Sequence, residues 1–303
     1  MEEKFFMTYA RSRPNELVPW IEENNVPLLT NAVHRWSENT DRFLSMWEYD
    51  TTHVIDPGGY NVQNRYVDRG GNITQDPTET LDQESPFYPW TIDEYHNWLT
   101  EHSHEFEWAA AMDYTTVDQF DSLWTKEERI ERTFDNTLKH FSKNPEYKLL
   151  PVLQGTCLEE YIEFYERLRD YGIPTDHVGL GSIQPISSSG ELVDLERELR
   201  EATDIQRIHG FGVKVNGFKQ GVTFDTADSQ AWCYAPTNGR CLIDDGDKLR
   251  EIQMGNDSLT RTVESFKNYY KYVTRLQQGT SAVDYNSGVD EMTDAEAVKS
   301  LSD

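Results

Sequence analysis

The chain has 303 residues, of which 37 % are hydrophobic and 12 % aromatic, which is enough for a substantial core and excludes an intrinsically disordered protein. Its 54 acidic residues against 28 lysines and arginines give a formal net charge of −26, and the acids are spread along the chain. At roughly 1 M salt the screening length is about 3 Å, so this surface is typical of a halophilic protein and does not exclude a polyanion as substrate.

Short β-rich apolar runs alternate with longer amphipathic stretches along the chain. Strands are predicted at 5–10, 27–31, 53–56, 108–113, 149–154, 177–181, 208–213 and 222–228. Helices are predicted most clearly at 91–102, 126–141, 158–171 and 191–202. This alternation indicates a parallel sheet with helices outside it, and about eight units favour an α/β fold of the (β/α)8 TIM-barrel type. An open doubly wound sheet is the alternative, but no G-x-G-x-x-G follows the first strand.

We assign residues 1–278 to a single barrel domain, with an interruption after an early strand. Residues 61–90 are polar and rich in glycine and proline, which is typical of a functional insertion or lid. This segment either contacts nucleic acid, through Arg65, Arg69, Tyr88 and Trp90, or is an ordinary solvated loop, and the sequence favours neither reading over the other. Residues 258–277 read as a closing helix with aromatic core contacts, and the acidic segment 279–303 is predicted to be a disordered tail.

Neither a membrane segment nor a metal site is indicated. The sequence has no apolar run long enough for a bilayer and no signal-peptide pattern, so we expect a cytoplasmic protein, in the host cytoplasm if it is viral. Cys157, Cys233 and Cys241 fit neither a disulfide framework nor a zinc spacing. We therefore expect ordinary thiols and no zinc or other cofactor.

Polar residues follow the predicted strands at the end where a barrel of this kind places its chemistry. Asp56, Asp113 and the pair Asp225 and Asp228 come at three strand ends, and Gln154 at a fourth. One such aspartate alone is more often a helix cap. Because the strand ends of a barrel converge, we predict a shared pocket suited to chemistry at an anomeric carbon. One carboxylate would attack the sugar and the other would manage the proton on the leaving group.

The same strand ends carry glycines and aromatic residues that suit a flat ligand. The glycines leave the backbone open to close approach and are Gly58, Gly59, Gly155, Gly179, Gly181 and Gly212. Tyr60 and Phe211 are placed to sandwich an aromatic ring. Turns are the alternative reading of the glycines.

Five segments, in order, resemble the guanine transglycosylase family, which are (β/α)8-barrel enzymes that insert 7-deazaguanines into nucleic acid. They are D-P-G-G-Y-N at 56–61, A-A-M-D at 110–113, V-L-Q-G at 152–155, G-L-G-S at 179–182 and F-G-V-K at 211–214. These are similar to the family's D-S-G-G-F/Y-Q, its strand ending in the base-binding aspartate, and its V-Q-G, G-G-L-A-V-G and M-G-V-G segments. Pro57 and Asn61 depart from the first pattern, and Phe211 replaces the stacking methionine. The resemblance covers roughly residues 5–232.

The end of the predicted barrel resembles the members that act on DNA. Members that act on tRNA carry D-C-V-x-P-T-R around the nucleophile and then a C-x-C-x-x-C…H zinc module, whereas this chain has A-D-S-Q-A-W at 227–232 and no such module. D-S-x-x-W is similar to the shorter phage- and virus-type DNA-guanine transglycosylases, the DpdA type. The resemblance implies that Asp228 is the nucleophile, with Asp225 as the fallback. Residues three apart in one strand face opposite ways, so both cannot point into the barrel.

The resemblance also implies the roles of the other residues. Asp56 would protonate the departing guanine and then deprotonate the incoming base. Asp113 would bind N1–H and the 2-amino group, while Gln154 and the backbone of 179–181 would address O6 and the 7-substituent. Tyr60 and Phe211 would stack on the two faces of the base.

The expected reaction is exchange of guanine in DNA for a base of the 7-cyano-7-deazaguanine type through a covalent aspartyl-deoxyribose intermediate. A tRNA-guanine transglycosylase of the queuosine or archaeosine type, a non-catalytic barrel subunit of such an enzyme and an unrelated (β/α)8 glycosidase are the alternatives. The sequence leaves open which 7-deazaguanine is used, the DNA context and the assembly, for which a homodimer is one option.

Overall fold

The computed structural model describes residues 4–9, 16–44, 50–68, 70–76, 85–187, 189–255 and 257–277. The predicted tail at 279–303, Arg69 and part of the predicted insertion, residues 77–84, lie outside the described residues. None of the helices within the described ranges is both long and apolar enough to span a membrane.

A parallel sheet closes into a barrel, which confirms the predicted (β/α)8 fold and excludes the open sheet. Its strands are β1 (Lys4–Tyr9), β2 (Leu28–Asn31), β3 (His53–Asp56), β4 (Trp108–Ala110), β5 (Leu149–Leu150 and Val152–Leu153), β6 (His177–Leu180), β7 (Arg207–Gly210) and β8 (Thr226–Ser229). Each strand pairs in parallel with the next one in the chain, and β8 pairs with β1.

The fifth strand is interrupted at Pro151, which has no N–H to donate to a ladder. Its first half pairs with β4 and its second half with β6. The carbonyl of Pro151 still accepts a hydrogen bond of 2.9 Å from the backbone N–H of Gly179. The two halves therefore act as one strand, through which the sheet closes.

Helices cover the outside of the barrel. They are α1 (Leu17–Glu23), α2 (Gly59–Gln63), α3 (Ile92–Glu101), α4 (Lys126–Phe141), α5 (Leu158–Asp170), α6 (Gly190–Ala202), α7 (Val215–Gln220), α8 (Tyr234–Thr237) and α9 (Ser258–Gln277). Thr91 and Glu94 form a capping box that starts α3. The apolar face of α5 packs with the outward residues Val178 and Leu180 of β6 in the main core. Burial of such faces drives the assembly of the layers.

The side chains that point into the barrel are apolar towards the amino ends of the strands and polar near their carboxyl ends. Phe6, Leu29, Val54, Trp108, Ala110, Leu150 and Val152 form a buried apolar cluster there. Because side chains alternate along a strand, the next inward residues after four of these are Thr8, Asn31, Asp56 and Gln154. Inside the barrel, a layer of apolar side chains therefore lies directly below a layer of polar side chains, which is the one nearer the carboxyl ends of the strands.

Two predictions about the outer parts of the barrel need correction. The predicted strand 222–228 is wrong in its first half, because Gly221 ends α7 with φ +98° and the chain becomes extended in the sheet only from Thr226. Within the predicted insertion, Tyr88 and Trp90 are each only 2 % exposed, so they are core residues and not contacts for nucleic acid.

The C-terminal part adds a small antiparallel sheet of β9 (Arg240–Asp244) and β10 (Leu249–Gln253), which packs with α9. The aromatic residues of α9 behave as predicted, since Phe266, Tyr269 and Tyr272 are buried. A second hairpin, Trp36–Ser37 with Arg42–Phe43, follows β2.

Candidate active site

Asp56, Asp113 and Asp228 line one cavity at the carboxyl ends of the barrel strands. It encloses about 110 Å³, room for several water molecules or part of a flat ligand. The rest of its lining consists of Thr8, Asn31, Tyr60, Asn61, Thr115, Gly181, Ser182, Gln184, Phe211, Gly212 and Gln230. A larger cavity of about 490 Å³ lies against Phe43 and Trp98 and includes none of the three aspartates. The structure thus brings together acids that lie far apart in the sequence.

Asp56 ends β3 and has both carboxyl oxygens in hydrogen bonds. Asn31 Nδ2 donates to Oδ2 at 2.9 Å, and the backbone N–H of Gly58 donates to Oδ1 at 3.1 Å. The amide of Asn31 is oriented by the N–H of Val33, which donates to its Oδ1 at 3.0 Å. Gly58 has φ +89°, and a Cβ there would collide with the Asn31 side chain. The first glycine of D-P-G-G-Y is therefore required to place Asn31 against Asp56.

The electrostatic setting of Asp56 favours its protonated form. Burial raises its pKa well above the usual value, and the negative charges of Asp113 and Asp228 raise it further, against the hydrogen bonds from Gly58 and Asn31. A carboxyl group whose pKa is raised in this way holds its proton to higher pH than an ordinary carboxyl group and is suited to give it to a leaving group.

Asp113 follows β4 and is held by a buried amide. Gln154 Nε2 donates to its Oδ2 at 2.6 Å, and the Ser182 hydroxyl donates to Gln154 Oε1 at 2.5 Å. The backbone N–H of Thr116 donates to Ser182 Oγ at 2.7 Å, which fixes the direction of this chain of hydrogen bonds. Burial raises the pKa of Asp113 to about 7, although the bond from Gln154 opposes the shift.

The second glycine of D-P-G-G-Y makes room for Asp113. A Cβ on Gly59 would lie 2.5 Å from the Asp113 carbonyl oxygen and 2.7 Å from its Oδ1. The hydroxyl of Tyr88 donates to the same carbonyl at 2.8 Å. Neither Gly58 nor Gly59 is part of the cavity lining, and each leaves space for a group around one of the two acids. The ligand contacts that the sequence suggested for these glycines stay a prediction.

Asp228 is the third residue of β8, is 6 % exposed, and is surrounded by hydrogen-bond donors. The Thr8 hydroxyl donates to Oδ2 at 2.6 Å, and the backbone N–H of Gly212 donates to Oδ1 at 3.0 Å. His209 Nε2 lies 3.4 Å from the same Oδ1. These contacts orient the carboxylate towards the cavity.

Asp225 lies outside the cavity, just before β8. Its Oδ2 accepts hydrogen bonds of 2.9 Å from Arg200 of α6 and 2.9 Å from the backbone N–H of Ile208. It therefore joins a helix and the start of β7 on the outside of the barrel, while Asp228 faces inwards.

The remaining predicted ligand residues divide into two groups. Gly181 and Gly212 line the cavity, whereas Gly155, Gly179 and Gln154 do not. Gln154 is fully buried, and its amide forms hydrogen bonds with Asp113 and Ser182. The lack of a Cβ at Gly181 leaves space for the Gln154 side chain. In this arrangement Asp113 and Ser182 engage the Gln154 amide, and direct contact of Gln154 with a ligand stays a prediction.

Two aromatic side chains, Tyr60 and Phe211, border the cavity from different elements, and their stacking on a ring stays a prediction. Tyr60 of α2 is 38 % exposed and meets Phe120 edge to face, with ring centroids 5.4 Å apart. Phe211 follows β7 and packs over Gly179, where a Cβ would lie 2.5 Å from its ring. Gly179 is thus needed for the position of Phe211, and its predicted contact with a ligand stays a prediction.

Sequence reasoning missed Thr8, Asn31 and His209, which contact the carboxylates of Asp228 and Asp56. Thr8 and Asn31 lie at the ends of β1 and β2, so the rule that located the aspartates would have found them if applied to the first two strands. The sequence does not single out His209 as a site residue, because one histidine within a strand is more often a core residue.

The described ranges contain no group of three or more histidine, cysteine, aspartate or glutamate side chains arranged to hold a metal ion. Cys157 is exposed, Cys233 partly buried and Cys241 buried.

Comparison with known proteins gives one family. The family model described as DpdA, DeoxyPurine in DNA protein A, matches residues 91–244, which is just over half of the chain. The matched segment runs from the capping threonine of α3 to the end of β9 and contains Asp113 and Asp228, while Asp56 precedes it. No curated protein matches the chain.

Proposed function

The chain belongs to the DpdA family of transglycosylase-like, DNA-modifying enzymes, and we propose that it exchanges guanine in DNA for a 7-deazaguanine base, of the 7-cyano-7-deazaguanine type. The observation that carries this proposal is the meeting of Asp56, Asp113 and Asp228 in one cavity of the barrel. Their settings differ, which allows three carboxyl groups to take three roles.

In the first step, a carboxylate oxygen of Asp228 bonds to C1′ of the target deoxyguanosine. The bond between C1′ and N9 breaks, its electron pair goes to the departing guanine, and Asp56 supplies a proton to that base. In the second step, Asp56 takes the N9 proton of the incoming 7-deazaguanine, N9 bonds to C1′, and the ester bond to Asp228 breaks. Two displacements at C1′ retain its configuration, as in retaining glycosyl transfer.

The raised pKa of Asp56 suits it to be the acid of the first step, because the group must hold a proton at working pH. After that proton leaves, Asp228 is an ester without charge, so the burial of Asp56 and the negative charge of Asp113 are what increase the affinity of Asp56 for a new proton. This drives the deprotonation of the incoming base and returns the site to its starting state.

Asp113 is proposed to bind the base through N1–H and the 2-amino group. Its Oδ2 already accepts the bond from Gln154, and the ionised carboxylate has further lone pairs for the ligand. The amide of Gln154 is occupied, so the lining amides that remain for O6 are those of Asn61, Gln184 and Gln230. Tyr60 and Phe211 supply the aromatic surfaces for stacking.

The target nucleotide must leave the DNA stack to place C1′ against Asp228, at a cost of a few kcal/mol in a duplex. A cavity at the end of a barrel admits an extruded base edge-on and leaves the strand outside. Single-stranded DNA avoids the cost of unpairing, so we expect it to be the faster substrate.

The test is incorporation of labelled guanine into DNA at high salt. Asp228→Asn removes the nucleophile while keeping the shape of the side chain, and we expect no incorporation. Asp225→Asn is the matched control, since its carboxylate pairs with Arg200 outside the cavity, and we expect it to remain active. Incorporation by Asp228→Asn, or label found in tRNA but not in DNA, would overturn the proposal.

A further inference from the structure

His209 lies directly beneath the proposed nucleophile, inside the barrel. It is the third residue of β7, is fully buried, and its Nε2 is 3.4 Å from Asp228 Oδ1. Its Nδ1 is 2.9 Å from the hydroxyl of Thr226, two residues before Asp228 on β8. The ring is otherwise surrounded by aromatic side chains, with Phe211 and Trp108 at centroid distances of 4.4 and 4.8 Å.

This environment keeps the imidazole neutral, so the ring carries one proton. Burial lowers the pKa of His209, and the nearby Asp228 only partly opposes the shift. An ionised carboxylate accepts hydrogen bonds and cannot donate them, so a lone pair on Nε2 would be repelled by Asp228. The Thr226 hydroxyl can donate to Nδ1, which leaves the proton on Nε2, facing the carboxylate.

We propose that His209 is a positioning residue that holds Asp228 through its Nε2–H, with Thr226 fixing the tautomer. The inference rests on the proposed function, because it concerns the rate at which Asp228 forms and releases its bond to the sugar. The distance of 3.4 Å is longer than a full hydrogen bond, and such contacts commonly shorten when a substrate binds.

The two oxygens of Asp228 are then not equivalent. Oδ1 faces two N–H groups, from Gly212 and His209. Among the residues that the structure describes, Oδ2 accepts a hydrogen bond from the rotatable hydroxyl of Thr8 alone. We therefore assign Oδ2 as the attacking oxygen. In the ester, Oδ1 becomes the carbonyl oxygen, and when the ester breaks the returning negative charge spreads onto an oxygen with two fixed donors. Donors placed where charge develops accelerate the step that develops it.

The variants for the test are His209→Phe, which keeps an aromatic ring and removes the N–H, and His209→Gln, which keeps a side-chain N–H donor. We expect His209→Phe to lower kcat for guanine exchange by roughly 10- to 100-fold with the KM for the base unchanged, and His209→Gln to recover part of the loss. His177→Phe is the matched control. It removes another histidine inside the barrel, 3 % exposed, whose ring nitrogens make no hydrogen bond within the described ranges, and it should keep wild-type kcat.

A second readout does not depend on turnover. In ¹⁵N-labelled protein, we expect His209 to show a protonated Nε2 whose signal moves in Asp228→Asn while that of His177 stays in place. A proton on Nδ1 of His209, or wild-type kcat in folded His209→Phe, would overturn the inference. Absence of guanine exchange by the wild-type protein would instead count against the proposed function, and the tautomer would still decide the role of His209.

Discussion

Asp113→Asn should stabilise the folded protein, and increasingly so as the pH rises. The carboxyl group has a pKa of about 7 in the folded state against 3.8 as its ordinary value, so between these values the folded protein retains a proton that the unfolded chain has released. Stability therefore falls as the pH rises through this window and levels off above about pH 7. The shift corresponds to at most about 4 kcal/mol of destabilisation at pH 8, at about 1.4 kcal/mol per pH unit. An asparagine has no charge to bury, so the variant escapes this cost.

The measurement is the free energy of unfolding by denaturant at pH 5 and at pH 8. About two pH units lie between pH 5 and the folded-state pKa of Asp113, and the destabilisation that builds up over them is absent at pH 5. The difference in unfolding free energy between Asp113→Asn and wild type should therefore widen by roughly 2 to 3 kcal/mol from pH 5 to pH 8. Any constant effect of the substitution cancels in this double difference. Asp225→Asn is the control for exchange of an acid by an amide, and its ion pair with Arg200 predicts a loss of stability at both pH values. If the difference in unfolding free energy between Asp113→Asn and wild type stays constant or narrows towards pH 8, burial of the ionised Asp113 carboxylate does not destabilise the folded protein.

Two further predictions concern the surroundings of Asp56. Asn31→Ala removes a hydrogen bond that lowers the Asp56 pKa, so the alkaline limb of the pH–rate profile for guanine exchange should move to higher pH; a move to lower pH would contradict the assignment of Asp56 as the acid. Gly58→Ala and Gly172→Ala share the strain of a left-handed φ, of +89° and +74°, but the new Cβ clashes with Asn31 at Gly58 and meets no atom within 4 Å at Gly172. Gly58→Ala should therefore cost roughly 1–3 kcal/mol more in unfolding free energy. Equal losses for the two alanines would mean that Asn31 moves away freely.

The alternation of strands and helices was sufficient to predict the barrel, because most of its strands and of the longer helices around it show their period in the sequence. The closing helix at Ser258–Gln277 was predicted at the same limits, since its apolar residues recur at helical spacing. The last strand was predicted too early, because Val222 and Phe224 look like strand residues but belong to the outer core after α7.

The sequence alone could not show why glycines stand at positions 58 and 59 or which groups contact the amide of Gln154. Gly58 and Gly59 are flanked by the predicted acid and aromatic residue, so a ligand contact is the natural expectation. Their actual neighbours are the side chains of Asn31 and Asp113, which come from other strands. Likewise, Gln154 ends a strand as a ligand residue would, and only the fold shows that Asp113 and Ser182 take its amide. Contacts between distant segments depend on the register of the strands, which local patterns do not encode.

The proposed acid and nucleophile belong to one continuous wall. β8, β1, β2 and β3 are successive neighbours in the sheet, and Thr8 and Asn31 on the two middle strands hydrogen-bond to Asp228 and Asp56 on the outer two. A wall built from paired strands cannot open or narrow to suit a substrate as a loop can. The nucleic acid must therefore make the adjustment, and a lesion, mismatch or bend that already loosens a guanosine should raise the exchange rate without any change in the protein.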